Sequence, residues 1–293
     1  MTSRCLQTLW VLICIFLATG CQEDEVSELT RQSPFKNAPP APAEEILIVS
    51  CQSYPLELSG QVDVMALPFW NKHALAEESG NISISAKPPF SAGQLNLWRQ
   101  NGLHVAVAPL DDWAQFRQEL MDAGGLSMSS TISLLRRPTD VAEFPTSWVP
   151  QSTSVFITGS SGIPRGYTLS QGDCLFSVNC LPGREIPQPS SLYIKIVPEF
   201  HAAHSSERFD RDAFGVLRRI IENPRIVFNQ MTLEGQLSKG HFICIAAKTK
   251  PITAGNLGQL FLTRTEGTDN YQLVMILVPA LQTGAEVRNI LQE

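Results

Sequence analysis

From about residue 126 onward the chain is written in short apolar runs. Each is closed by a proline, a glycine turn or a polar cluster, and that pattern commits the region to strands. Residues 131–135, 154–158 and 175–178 read as strands. So do residues 192–197, which Pro198 closes because proline has no N–H to give a ladder. Residues 225–237 and 241–247 flank Ser238-Lys239-Gly240, a hairpin signal in which Gly240 supplies a positive φ. Residues 257–263 and 272–278 complete the set, and 212–221 read as a helical turn that stops ahead of Pro224. The stretch before this region is mixed. Residues 46–51 and 103–108 read as strands, and 94–102 as a helix stopped by Gly102. A second helix starts at residues 110–113 with Asp111 as cap, and Trp113, Phe116 and Leu120 share one of its faces. The expectation is an α+β fold: a small mixed helix/strand domain over 46–125, then a β-rich domain of antiparallel hairpins over 126–293.

The first 45 residues carry an address. Behind Arg4, residues 9–17 are unbroken apolar, and the small residues Ala18, Thr19 and Gly20 follow. This reads as a signal peptide over residues 1–20, too short for the roughly 20 residues of a membrane span. No other stretch approaches about 18 apolar residues, so no helical span is expected elsewhere. Leu17-Ala18-Thr19-Gly20-Cys21 resembles the lipobox of bacterial lipoproteins, with Ala18 where that family usually has leucine. The resemblance implies a diacylglyceryl group on the Cys21 thiol and fatty acyl chains such as palmitate. Gln22 after it implies sorting to the outer membrane, facing the periplasm. Ordinary signal peptidase fits the same bond and would leave Cys21 as the start of a free exported protein. Residues 21–45 are polar, and Pro39, Pro40 and Pro42 make them an extended tether.

Seven cysteines are present, of which Cys5 and Cys14 fall in the signal. Beyond Cys21 there remain Cys51, Cys174, Cys180 and Cys244, and export permits disulfides. Cys174 and Cys180 flank a short segment that a disulfide would close into a loop; the other reading is four buried thiols.

Lys and Arg number 22 against 28 Asp and Glu, a net charge of −6, which removes any electrostatic reason to bind nucleic acid. There is no phosphate-binding Gly-Lys-Ser/Thr loop and no GxGxxG, and no cofactor is expected. Gly159-Ser160-Ser161-Gly162 is a turn, not a nucleophile elbow. The metal candidates are His201 and His204, with Glu207, Asp210 and Asp212 nearby. On a helix the two histidines would share a face, as ligands must; otherwise the segment is a solvated connection after a strand. Trp70, Trp98 and Trp113 either line a ligand groove or fill the core.

Residues 192–280 resemble the C-terminal part of the bacterial secretin family, the outer-membrane channels of secretion and pilus systems. The matching pieces, in order, are Val197-Pro198-Glu199, the glycine turn and apolar strand of 239–245, Leu257-Gly258-Gln259-Leu260-Phe261, and the apolar strand 273–278 closed by Pro279. The resemblance implies a hairpin scaffold with Gly240, Gly258 and Pro279 as structural positions. Ala246-Ala247 stands where the family has a glycine pair, and Pro251 stands without a second proline before the Leu-Gly block. Too few alternating strands of about 9–11 residues are present for a closed transmembrane barrel. The implied protein is a reduced, poreless relative. It would be a non-enzymatic envelope protein, held at the membrane by its lipid, with a structural or assembly role as a homo-oligomer or beside another secretion or envelope protein. The alternatives are an extracytoplasmic ligand-binding lipoprotein that uses the tryptophans, and an exported metal-dependent hydrolase built on His201 and His204.

Overall fold

The structure, a computed structural model, describes residues 45–57, 63–75, 88–125, 129–135, 137–182, 191–204, 206–211, 216–222, 224–248, 255–266 and 269–283. The expected signal peptide, Cys21 and the tether up to residue 44 lie outside the described residues.

In chain order the first elements are β1 (Glu45–Glu57), α1 (Pro68–His73), α2 (Ala92–Gln100), β2 (Leu103–Pro109), α3 (Trp113–Asp122) and β3 (Ser129–Leu135). Next come β4 (Ala142–Val149), β5 (Thr153–Thr158), β6 (Pro164–Leu169), β7 (Gly172–Pro182) and β8 (Ser191–Ala202). There follow β9 (Ser206–Arg211), β10 (Leu217–Glu222), β11 (Arg225–Val227), β12 (Leu233–Ser238) and β13 (His241–Ala247). The last are α4 (Leu257–Leu262), β14 (Thr263–Glu266) and β15 (Asp269–Thr283).

Among the described residues every strand pairing is antiparallel, and the fold is a β-rich α+β fold, as the sequence pattern requires. One sheet has the order β2-β13-β15-β1-β3, with β14 also on β15. A second runs β11-β8-β7-β4, with β12 beside β11 on the same edge of β8. The pairs β5–β6 and β9–β10 form two-stranded ribbons.

A strand that is apolar at nearly every position must be covered on both faces. In β13, Phe242 to Ala247 are all buried, and so are Gln272 to Leu277 of β15. One face of this sheet supplies Val49, Cys51, Ile243, Ile245 and Met275. They join Phe144, Phe176, Ile194 and Phe200 of the second sheet, with Trp98 of α2 and Phe261 of α4. The other face supplies Phe242, Cys244, Val274 and Ile276, which pack with Phe69 of α1 and with Phe116 and Leu120 of α3. The Phe69 and Phe116 rings stack with centroids 3.6 Å apart. Helices α1 and α3, the first sheet and the second sheet thus stack in three layers, with α2 and α4 contributing to the core between the sheets.

This layering corrects the expected boundary at residues 125/126. Strands from both sides of it are interleaved in one sheet, where β1 lies between β15 and β3 and β13 pairs with β2, and Glu44–Glu293 form one compact unit. The turn at Lys239-Gly240 has the expected positive φ of 73° at Gly240, but it closes no hairpin. β12 before it pairs with β8, and β13 after it pairs with β2 and β15, so the turn passes the chain from one sheet to the other.

Three local readings are also corrected. Residues 257–262 are helical rather than extended, because the Asn256 side chain accepts the Gln259 N–H at 2.7 Å and caps the first turn. Residues 217–222 are strand β10, paired with β9; residues 212–215 lie outside the described residues. Pro198 does not end its strand. On the outer edge of β8, β12 stops opposite Ile196 and β11 starts opposite Glu199, so the missing N–H of Pro198 falls in the gap between them. Its carbonyl accepts the Phe228 N–H at 3.1 Å.

The second helix of the mixed region begins as expected, but Asp111 does not cap it. Asp112 stands at the cap position and makes no capping bond; its backbone is already helical, and its carboxylate instead meets Lys72 and His73. α2 carries a full capping box between Ser91 and Gln94 and ends at Gly102, φ +80°. Just before that glycine, Asn101 is buried and ties three elements together. Its side-chain amide donates to the carbonyls of Leu97 (2.8 Å) and Thr158 (2.9 Å) and accepts the Thr158 N–H at 2.8 Å. Its own carbonyl receives the Gly258 N–H at 2.9 Å.

Candidate functional site

The four described cysteines form no disulfide and no metal site. Cys174 and Cys180 lie on one strand, β7, six residues apart, a separation of roughly 20 Å in extended chain. No disulfide can span that, since bridged Cα atoms lie within about 7 Å. The expected small loop is a straight strand instead. Cys51, Cys174, Cys180 and Cys244 are all free, buried thiols, and burial pushes those of Cys51, Cys174 and Cys180 up to about 12.

The two candidate metal ligands do not share a helix face. His201 lies on β8 and His204 in the bend after it. The Nε2 of His201 contacts Glu199 Oε2 at 3.3 Å, whereas that of His204 contacts Gln171 Oε1 at 3.1 Å. No group of three or more His, Cys, Asp or Glu side chains is placed to hold a metal ion among the described residues.

What the sequence reading missed around His201 is an ion pair with a buried carboxylate and a half-exposed arginine. Glu199, 4% exposed, accepts from Arg225 Nε across the β8–β11 pairing, and Arg225 Nη2 lies 3.5 Å from Glu143 Oε1 on β4. Burial alone would raise the Glu199 carboxyl. The hydrogen bonds it receives and the Arg225 charge outweigh burial and hold it below the usual carboxylate range. On the helix layer, His73 Nε2 and Lys72 Nζ both lie 2.8 Å from Asp112 Oδ2; burial nevertheless keeps the His73 ring below its ordinary value.

The tryptophans singled out from the sequence are packed against the sheets. Trp98 is fully buried, donates Nε1–H to the Met231 carbonyl at 2.7 Å and stacks on Phe176. Trp70 is buried in the helix layer, and Trp113 packs edge-on against Phe242. Gly240 shapes the sheet-to-sheet turn, and Gly258 supports a backbone contact with Gly102. Pro279 sits on β15 opposite Val49, past the end of the β13 pairing.

Two further surface features of the described residues bear on function. The first is the free edge of β3, which bonds to β1 on one side and to no strand on the other among the described residues. Its sequence, Ser-Ser-Thr-Ile-Ser-Leu-Leu, holds no charge and no proline, and Ile132 at its centre is 43% exposed. Those are the devices that usually protect an edge, and β4, the edge of the other sheet, has two of them: Pro145 and a bulge.

The second is a groove of about 470 Å³ lined from β4, β7 and β14. The β4 bulge creates it. Ala142 and Phe144 point into the core, and strict alternation would send Trp148 inward after them. The register shift between Pro145 and Ser147 reverses the parity, so Val149 is buried and Trp148 faces out, 46% exposed. Both hydroxyls at the bulge are used internally: Thr146 Oγ1 donates to the Cys174 carbonyl at 3.1 Å and Ser147 Oγ to the Leu260 carbonyl at 2.6 Å. Asp173, Thr263 and Arg264 provide the polar lining. The alternating run around Trp148 was the available sequence signal, obscured by Pro145 within it. Compared with protein-family models, with curated proteins and with solved structures, the chain matches none.

Proposed function

We propose that this protein is a lipid-anchored envelope protein of structural role that associates with a second copy of itself through β3. The anchoring half rests on residues 9–17 and on Cys21, and the secretin resemblance of residues 192–280 favours an assembly role. The observation that carries the assembly half is the unprotected β3 edge, since a strand without charge, proline or bulge invites another strand. Antiparallel pairing of two identical edges obeys a two-fold axis. With that axis through Ile132, the exposed side chain meets its own counterpart and no like charges oppose one another.

Light scattering during size-exclusion chromatography of the mature chain is expected to give a dimer. Ile132→Lys, which places two ammonium groups face to face, is expected to give a folded monomer. A wild-type protein that stays monomeric at high concentration would overturn the assembly half. For the anchor, the protein from cells is expected to enter the detergent phase on Triton X-114 partitioning, and Cys21→Ser to remain in the aqueous phase. Aqueous partitioning of the wild type would remove the lipid from the proposal without touching β3.

A further inference from the structure

The geometry points to the β4–β14 groove as a binding site for an uncharged oligosaccharide, a role separate from assembly through β3. Its volume of about 470 Å³ lies within the ~300–1,000 Å³ range of small-molecule sites and accommodates a di- or trisaccharide. The lining selects among ligand classes. Asp173 works against an anion and Arg264 against a cation, so a groove that carries both favours a ligand with no net charge. A carboxylate that only accepts hydrogen bonds and a guanidinium that donates them, lining one groove, suit groups that do both at once, as neighbouring hydroxyls do. The half-exposed indole of Trp148 adds a flat apolar face, which matches the C–H face of a pyranose ring.

An extended peptide is disfavoured by the backbone. Strand addition on β4 needs a continuous row of N–H and C=O groups, and here Pro145, the bulge and Pro150 interrupt it. The indole is also placed by construction rather than left over. It faces outward only because the bulge turns it, and the bulge is pinned by the two internal hydroxyl bonds of Thr146 and Ser147.

The test is isothermal titration of the mature chain with maltotriose, cellotriose and chitotriose, three uncharged trisaccharides that differ in linkage and substituent. At least one is expected to bind. Trp148→Ala is expected to weaken it by about tenfold or more, with Trp148→Phe retaining most of the affinity because a ring face remains. Asp173→Asn is expected to weaken it several-fold. The melting temperature of Trp148→Ala should stay close to that of the wild type, because the side chain is half exposed. No binding of any of the three sugars, or binding unchanged in Trp148→Ala, would overturn the assignment.

Discussion

Gly258→Ala is expected to lower the unfolding free energy by about 3 kcal/mol or more, a large share of the ~5–15 kcal/mol of a typical domain. A methyl group at Gly258 would stand 2.1 Å from the Gly102 carbonyl oxygen and 2.4 Å from its carbon. Both are backbone atoms, so no rotamer change relieves the clash. Either α4 retreats and loses the Gly258 N–H bond to Asn101, or the turn after α2 shifts and takes Asn101 with it. Gly102 cannot yield easily, because its φ of +80° is glycine territory and the Asn256 side chain lies against it. The control is Gly93→Ala on α2, where an added methyl meets nothing within 4 Å; it is expected to be neutral or slightly stabilising. Urea unfolding followed by circular dichroism measures both. Equal stability of the two variants would mean that the helices do not meet as described.

The second large effect concerns the buried carboxylate. Arg225→Ala is expected to destabilise the protein by about 2–3 kcal/mol near neutral pH, because it strands Glu199 without its cation. Breaking a fully buried pair costs about 3–5 kcal/mol, and the lower figure allows for the Arg225 side chain being 44% exposed. The pH dependence has a fixed sign. Glu199 is held below its ordinary value of 4.5 in the folded protein, so its contribution is complete above that pH and fades as acid protonates it. The gap between wild type and Arg225→Ala should therefore narrow as the pH falls from 4.5 through the lower folded value, because the protonated side chain no longer needs a cation. Adding Glu199→Gln to Arg225→Ala should recover part of the loss, since the amide carries no charge. A gap that is constant with pH and not rescued by the double variant would assign the loss to packing of the arginine stem instead.

Strand content was legible because runs such as Phe242-Ile243-Cys244-Ile245 leave little else to form. Strand partnership was not. The glycine at 240 reports a tight turn, and turn chemistry is the same whether the flanking strands pair with each other or part into different sheets. Short apolar runs were ambiguous for a related reason. Leu257-Gly258-Gln259-Leu260-Phe261 suits strand or helix equally, and the deciding residue, Asn256, lies just outside it. Prolines misled in both directions. Pro198 was read as a stop although the gap between β12 and β11 tolerates it, and Pro145 hid β4 although an edge strand with a bulge tolerates it too. The groove was beyond reach of sequence reasoning. It depends on a parity change within β4 and on Arg264, which β14 brings alongside from far down the chain.

The pairing of β1 with β15 runs from Glu45 opposite Thr283 to Glu57 opposite Tyr271. As the ribosome releases the chain, the first strand emerges long before its main neighbour, and until then only β3 is available to it. The central sheet therefore closes last, in a single step that joins the two extremes of the fold. Such distant closure is slow, and it leaves the nascent protein open and sticky until synthesis has finished. A truncation that removes residues 269–283 would strand β1 and β13 together, so the shortened product should be degraded rather than accumulate as a stable fragment.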